Sequence, residues 1–470
     1  MQRKKMKPKS QLTFQGFLTV LGGFISHVHL GCIFIWGNIQ PYVASYLKEN
    51  DNELDTGQVF ITLPIGIFAM TIGLYCGNKA LRKMHPRVVY GIGAMINIIA
   101  TFMTSYVKHL HAFLVLYGFI GGFGIGFAYI APLFAAWLHF PDRKGFVSGI
   151  ILAGFGLGVF IYNLVTNELV NPNNLPPDAF LTSDSSLYPT YVVDAEFLLV
   201  YTCDIWLFID KYTKTIRFEA TQNGSLESIQ YTQRYQSVFF QQIQNIAQKV
   251  LRYGYFLINA FKVYGQRNKF DDQFLSMVGS IGALVNCASR LIAAWLIDHF
   301  SFQSIYGLLL IKQFAITCSI YWVTGNQTYF LLWYCLSQIC YGAHFSITPV
   351  VCAKIFGLKI GVSVYSRLYA SYALSALFGA ILVDQLLDEI GYLMFFNLMA
   401  LFTAISFGLL QFLSTQKFIP QQIISSKDRN VHENTQQNAV GIIGQHQEIN
   451  DKSGYQQRKN SDFLRFQSEQ

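Results

Sequence analysis

Charge is scarce in this chain. Asp, Glu, Lys and Arg make up 13% of its 470 residues, about half the share of an ordinary soluble domain. Acidic side chains are missing altogether from the interiors of its long apolar blocks. Nucleophiles, histidines and carboxylates do not gather into any recognisable constellation, which argues against an enzyme. The eight cysteines are scattered singly, with no CxxC or metal-ligand spacing. They read as packing residues, and no cofactor or metal is expected. The run "GGFGIG" (121–126) has the look of a phosphate loop, but it lies within an apolar block and follows no strand. Gly122 and Gly126 are instead one helical turn apart, as are Gly145 and Gly149, and Gly154 and Gly158. That spacing suits close helix contact.

Apolar material is what the chain has in quantity. Hydrophobic residues are 52% of it, and the mean hydropathy is +0.33. They fall in blocks of about 20 residues, the length of a membrane-spanning helix. Strong blocks cover Phe14–Trp36, Val59–Cys76, Val88–Val107, Ala112–Leu138 and Phe146–Val165. A second set covers Phe274–Ile297, Ile305–Val323, Tyr329–Val351, Val364–Val383 and Tyr392–Phe412. Between the sets lie two weak candidates: Tyr191–Phe208, which carries Asp194, Glu196 and Asp204, and Asn245–Gly265, which carries Lys249 and Arg252. The expectation is an all-α integral membrane protein of twelve helices in two six-helix halves, 14–210 and 244–413. A cytoplasmic linker (211–243) would join them, between a cytoplasmic N-terminus (1–13) and a Gln- and Asn-rich disordered cytoplasmic tail (414–470).

Basic residues crowd the N-terminus "MQRKKMKPKS" and the loops "NKALRKMHPR" and "PDRKG", whereas "KENDNELD" is acidic. The positive-inside rule then puts both termini in the cytoplasm. The net charge of +8 belongs mostly to those loops, so the partner is a lipid bilayer and not nucleic acid. The basic start runs into a full-length span, so no cleavable signal peptide is expected. Which membrane is involved, and the oligomeric state, are not legible. An internal repeat is faint: Tyr90-Gly91 and Tyr306-Gly307 align without a gap that also sets Arg82 opposite Asp298. Repeated halves are a common transporter plan, with the substrate site at the midplane between them.

One permanent charge sits inside a strong block. In "VNCASRLIAAWLID" (285–298), Arg290 is the first charge after Phe274 and the last before Asp298, roughly 10 Å from the end of its span by helical rise. Two readings are open. The side chain could snorkel to the headgroups. Alternatively, its guanidinium could grip a carboxylate with two hydrogen bonds in a wet central cavity. Asn286, four residues earlier, shares its face and could orient it or touch the same ligand. Lys312 offers the same pair of readings. His27 and His29 are about 200° apart on a helix, so only one of them could line such a cavity; His344 is a similar candidate. Trp36 and Tyr129 could line a pathway or serve as interface anchors and packing.

Four strings carry a resemblance: "LGCIFIWGNIQPYVASYL", "GIGFAYIAPLFAAWLHFPDRKGFVSGIILAGFGLG", "NCASRLIAAWLID" and "SRLYASYALSALFGAIL". They resemble the major facilitator superfamily and, within it, the oxalate/formate exchangers and monocarboxylate transporters, over about residues 14–165 and 250–412. The resemblance implies a secondary transporter of small organic anions, with Arg290 binding the substrate carboxylate. It also implies gating contacts in the cytoplasmic loops, here Arg82, Arg87, Asp142, Arg143 and Asp298. The chain departs from the pattern in three places. Asn286 stands where monocarboxylate transporters have a titrating aspartate. Tyr372, in "SYALSALFG", stands where oxalate exchangers have a second cation. Arg82 and His85 replace the acid and second glycine of the loop signature. A single fixed cation suits a monoanion, and exchange is expected over free uniport. The alternatives are a superfamily carrier of a neutral solute, such as a sugar or amino acid, and a membrane receptor that transports nothing.

Overall fold

The structure is a computed structural model. It describes residues 14–171 except 52, 55 and 142, the pairs 179–180 and 189–190, and residues 254–411 except 255 and 258. All of these belong to one compact unit, Met1–Ser414. The weak span 191–208, the linker 211–243, the tail and Asp142 lie outside the described residues.

The ten strong blocks are all helices. In chain order they are α1 (Phe14–Asn50), α2 (Gly57–Leu81), α3 (Pro86–Thr104), α4 (Leu110–His139) and α5 (Lys144–Val170). After a described helical run α6 (259–267) come α7 (Asp272–His299) and α8 (Phe302–Val323). They are followed by α9 (Gln327–Ile355), α10 (Gly361–Val383) and α11 (Glu389–Gln411). Among the described residues nine of them are long and apolar enough to cross a membrane. The other long helix, α9, runs for 29 residues and buries Gln338, His344 and Ser346 along its length. Strand pairing among the described residues is confined to Ala179–Phe180 against Pro189–Thr190.

The first helix outruns its apolar block. Composition turns polar after Trp36, yet α1 continues through a tight 3₁₀ turn at Gly31–Ile35 and past Pro41 to Asn50. Every residue from Trp36 to Leu47 is buried. Asn38, Gln40 and Ser45 therefore belong to the interior, and the block ends early only because interior contacts here are polar. Proline is accommodated because its neighbours in the bundle, rather than helix propensity, hold the turn.

Glycines set how closely helices approach. A Cβ on Gly126 would overlap the backbone of Met70 in α2, and one on Gly158 the backbone of Val28 in α1. The paired glycines of the sequence are thus packing positions, as their one-turn spacing implies. Helix α5 also lies against α7, where Gly156 meets Cys287 and Gly149 meets Ala294. This contact joins the first set of helices to the second and brings Arg290 next to α5.

Candidate functional site

Helix α7 shows two faces. Leu284, Leu291, Ile292 and Trp295 are exposed on one side. Gly279, Ala283, Asn286 and Arg290, at helical spacings of four, three and four, line a narrow interior cavity on the other. The rest of its wall comes from α1 (Phe34, Asn38), α5 (Phe155, Asn163), α6 (Phe261) and α9 (Tyr334, Gln338, Tyr341). It therefore draws on both sets of helices.

Arg290 is 4% exposed and points into this interior, not along the outer side of its helix. Its Nε donates to Asn286 Oδ1 at 2.9 Å, and an Nη donates to the Leu152 carbonyl of α5 at 3.3 Å. The guanidinium carbon stands 5.1 Å from the Phe155 ring and 5.7 Å from the Phe345 ring, within cation–π range. Asn286 is fixed in turn, its amide donating to the backbone and side-chain oxygens of Gln338 at 3.2 and 3.1 Å. Asn286 thus orients the arginine. Among the described residues no carboxylate pairs with Arg290; the ion pairs lie elsewhere. A guanidinium carries five N–H donors, and its neighbours here are neutral carbonyls and ring faces. The charge is thus desolvated with no carboxylate beside it among the described residues.

Aromatic rings surround it. Tyr129 is buried, stacks on Tyr365 at 6.2 Å and meets the His27 ring edge-on at 5.1 Å. The Tyr365 hydroxyl donates to that of Tyr129 at 3.4 Å. Tyr372 hydrogen-bonds through its hydroxyl to Tyr341, which itself lines the cavity. Tyr372 thus stands one residue back from the wall, and its ring lies 5.0 Å from that of Phe345. Of the other sequence candidates, Trp36 packs against Phe113 and Tyr117 of α4 at 5.9 and 5.5 Å and takes no part in the cavity. His27 Nδ1 donates to the Gly23 carbonyl at 3.0 Å. His29 lines a separate small pocket with Asn97 and Tyr117. His344 bonds Gln313 at 2.9 Å, and Lys312 is half-buried on α8.

The loop residues divide. Asp298 pairs with Lys354 of α9 at 2.6 Å and accepts the backbone N–H of Phe146, in the first turn of α5, at 2.9 Å. Arg82 donates to Ser363 of α10 at 2.9 Å, and Asn78 donates to the same hydroxyl at 3.0 Å. Lys144 reaches the Ala353 carbonyl at 3.4 Å. These contacts tie the two sets of helices together at the Asp298 end of α7. Arg82 and Asp298, set opposite each other by the repeat, serve this end through different partners. Arg87 is half-buried and Arg143 exposed.

The other end of α7 holds a buried ion pair that the sequence reading missed. Lys262 Nζ lies 2.8 Å from Asp272 Oδ1, with side-chain exposures of 0% and 4%. The ammonium also donates to Asn38 Oδ1 at 3.1 Å and to the Tyr42 hydroxyl at 2.9 Å. Asp272 accepts from the Tyr42 hydroxyl and from Asn171 Nδ2 at 3.1 Å. The strong block begins at Phe274, two residues past Asp272, so this carboxylate reads as loop. Lys262 falls within the weak span, where charge counts against burial. The available signal was the i, i+4 pair Asn38 and Tyr42, polar side chains on one face of a helix that continues past its apolar block.

No protein-family model matches the sequence. It is 29% identical to apicoplast pyruvate carrier 1 of Toxoplasma gondii over 34% of this chain and 36% of the carrier. With monocarboxylate transporter 14 of Homo sapiens it shares 26% identity over 23% of this chain and 20% of that protein. The matched part thus spans about a third or less of these relatives' length. The xylose transporter XylE of E. coli, in a partially occluded inward-open conformation, superposes with a TM-score of 0.56 at 12% identity, covering 86% of this chain and 99% of that one. At that identity the likeness concerns the fold, which is the twelve-helix fold of major facilitator transporters.

Proposed function

A chain with the major facilitator fold, similar in sequence to pyruvate and monocarboxylate carriers, is, we propose, a secondary transporter of small organic monoanions that works by alternating access. The observation that carries this reading is Arg290: a cation 4% exposed, oriented by Asn286, facing a cavity built from both sets of helices, with no carboxylate beside it among the described residues. The substrate carboxylate supplies the missing charge, and the guanidinium presents two parallel N–H groups to it. Neutralising the site lowers the cost of enclosing it.

Contacts tie the two sets at both ends of α7, through Asp298, Lys144 and Arg82 at one and through Asp272, Lys262 and Tyr42 at the other. Alternating access breaks one set of contacts while the other holds. The Asp298 end is cytoplasmic in this reading, as are both termini. Return of the empty carrier leaves a buried, unneutralised guanidinium, which is unfavourable, so exchange runs faster than net efflux. The Tyr372 hydroxyl, bonded to Tyr341, adds polarity but no second charge, which favours monoanions over dianions.

Uptake of a panel of labelled carboxylates into proteoliposomes, with and without an internal anion and with and without a pH gradient, tests the proposal. Arg290→Lys keeps the charge and loses the fork geometry, and a loss of about tenfold or more in exchange is expected; Arg290→Gln is expected to be inactive. Unchanged carboxylate flux in Arg290→Lys defeats the two-bond grip. Retained transport of a neutral sugar or amino acid by Arg290→Gln supports the neutral-solute alternative instead.

A further inference from the structure

The cavity has a second polar end. Starting from Arg290 and passing between the rings of Phe34, Phe155 and Phe261, its lining reaches Asn38 on α1 and Asn163 on α5. Both amides are deeply buried, at 1% and 3% exposure. Asn38 Oδ1 is occupied, accepting from Lys262 and Ser276, so its orientation is set and its Nδ2 is a donor without a partner. Asn163 Oδ1 is an acceptor without a partner, while its Nδ2 faces Gly279, one of the small residues that hold the cavity open. Leaving a buried amide donor or acceptor unmatched is unfavourable by about 1–3 kcal/mol each, so a site that keeps both is shaped for something that satisfies both.

We propose that the transported monoanion carries a distal hydroxyl, which accepts from Asn38 Nδ2 and donates to Asn163 Oδ1 while its carboxylate rests on Arg290. A hydroxyl matches because it both donates and accepts. A ketone leaves the Asn163 oxygen unmatched, and an amine or second carboxylate adds charge with no counter-charge at that end, since Asp272 already pairs with Lys262. Phe155, over which the guanidinium sits, and Asn163 are eight residues apart on α5, roughly 12 Å along the axis. Allowing a hydrogen bond of about 3 Å at each end leaves roughly 6 Å. That is the reach of a short carbon chain and more than a two- or three-carbon acid provides. The aromatic wall between the poles suits an apolar middle. The site therefore selects a hydroxylated short-chain monocarboxylate, and Asn38 and Asn163 are its specificity-determining residues. This rests on the carboxylate role of Arg290 proposed above.

The experiment compares uptake of labelled 4-hydroxybutanoate, butanoate and pyruvate by the full chain in proteoliposomes, with flux into protein-free liposomes subtracted. The expected result is a preference of about tenfold or more for the hydroxy acid over butanoate in the wild type. Asn163→Ala should bring the ratio of hydroxy-acid to butanoate uptake down to about one, and Asn163→Ser should restore part of it. Equal uptake of the two four-carbon acids by the wild type overturns this inference and leaves the carboxylate reading intact, and that comparison needs no variant to fold. A preference for pyruvate over both, or a hydroxyl preference unchanged in Asn163→Ala, also overturns it. Uptake of none of the three above the protein-free level, or uptake unchanged in Arg290→Gln, removes both readings.

Discussion

Removing one member of the Lys262–Asp272 pair should damage the protein far more than removing both. In the single variant Asp272→Leu, the ammonium of Lys262, at 0% exposure, is left with the neutral oxygens of Asn38, Tyr42 and Ser276. Stranding a buried charge in this way costs about 3–5 kcal/mol. The value should sit toward the lower end, because two well-placed acceptors at 3.1 and 2.9 Å remain. Lys262→Met strands the carboxylate with the Tyr42 hydroxyl and the Asn171 amide, and a loss of similar size is expected. The double variant Lys262→Met/Asp272→Leu removes both desolvated charges and fills their volume with apolar groups, an exchange that is often close to neutral. Unfolding of purified protein in mixed micelles, run as a double-mutant cycle, should therefore return a coupling of about 2 kcal/mol or more. Additive single losses, with coupling below about 0.5 kcal/mol, would refute the claim that the two charges form one buried unit. Transport discriminates further. The pair recruits Tyr42 of α1 and Asn171 just past the end of α5, so the stable double variant should still show altered exchange rates, because closure at that end has lost its polar contacts.

Other consequences are smaller or more local. Asp298→Asn weakens the contacts to Lys354 and to the Phe146 N–H; with Lys354 36% exposed, solvent screening limits the stability change to about 1 kcal/mol or less. Exchange flux should nevertheless shift, and unchanged flux in a stable variant would show that this end is not a gate. Gly126→Ala forces a Cβ into the Met70 backbone and should lower stability by about 1–3 kcal/mol. Gly91→Ala, with nothing within 4 Å of the added carbon, should be neutral or stabilising by up to about 1 kcal/mol through helix propensity. Thermal unfolding of the two variants side by side checks the pair, and an equal response would sink the close-packing argument.

The sequence by itself determined the fold class and one end of the cavity. Ten apolar blocks of membrane length demanded helices because a bilayer leaves backbone groups no other partners, and ten helices stand there. Glycines one turn apart announced close contacts, since only they let backbones touch. Arg290 and Asn286, being four apart, had to share a face whatever the helix packed against. What tertiary structure decided was which side of each helix meets which neighbour. No spacing along the chain brings Phe155, Phe345 and the Leu152 carbonyl to the guanidinium, or moves Trp36 out of the cavity and into tilted ring contacts with Phe113 and Tyr117. Lys262 and Asp272 were the hardest to see, because hydropathy treats a charge as a sign of solvent. In the structure each cancels the other's desolvation from a separate helix, and the pairing draws polar residues of α1 inside with it. A lone charge is legible in one helix, whereas a compensated one is a property of two.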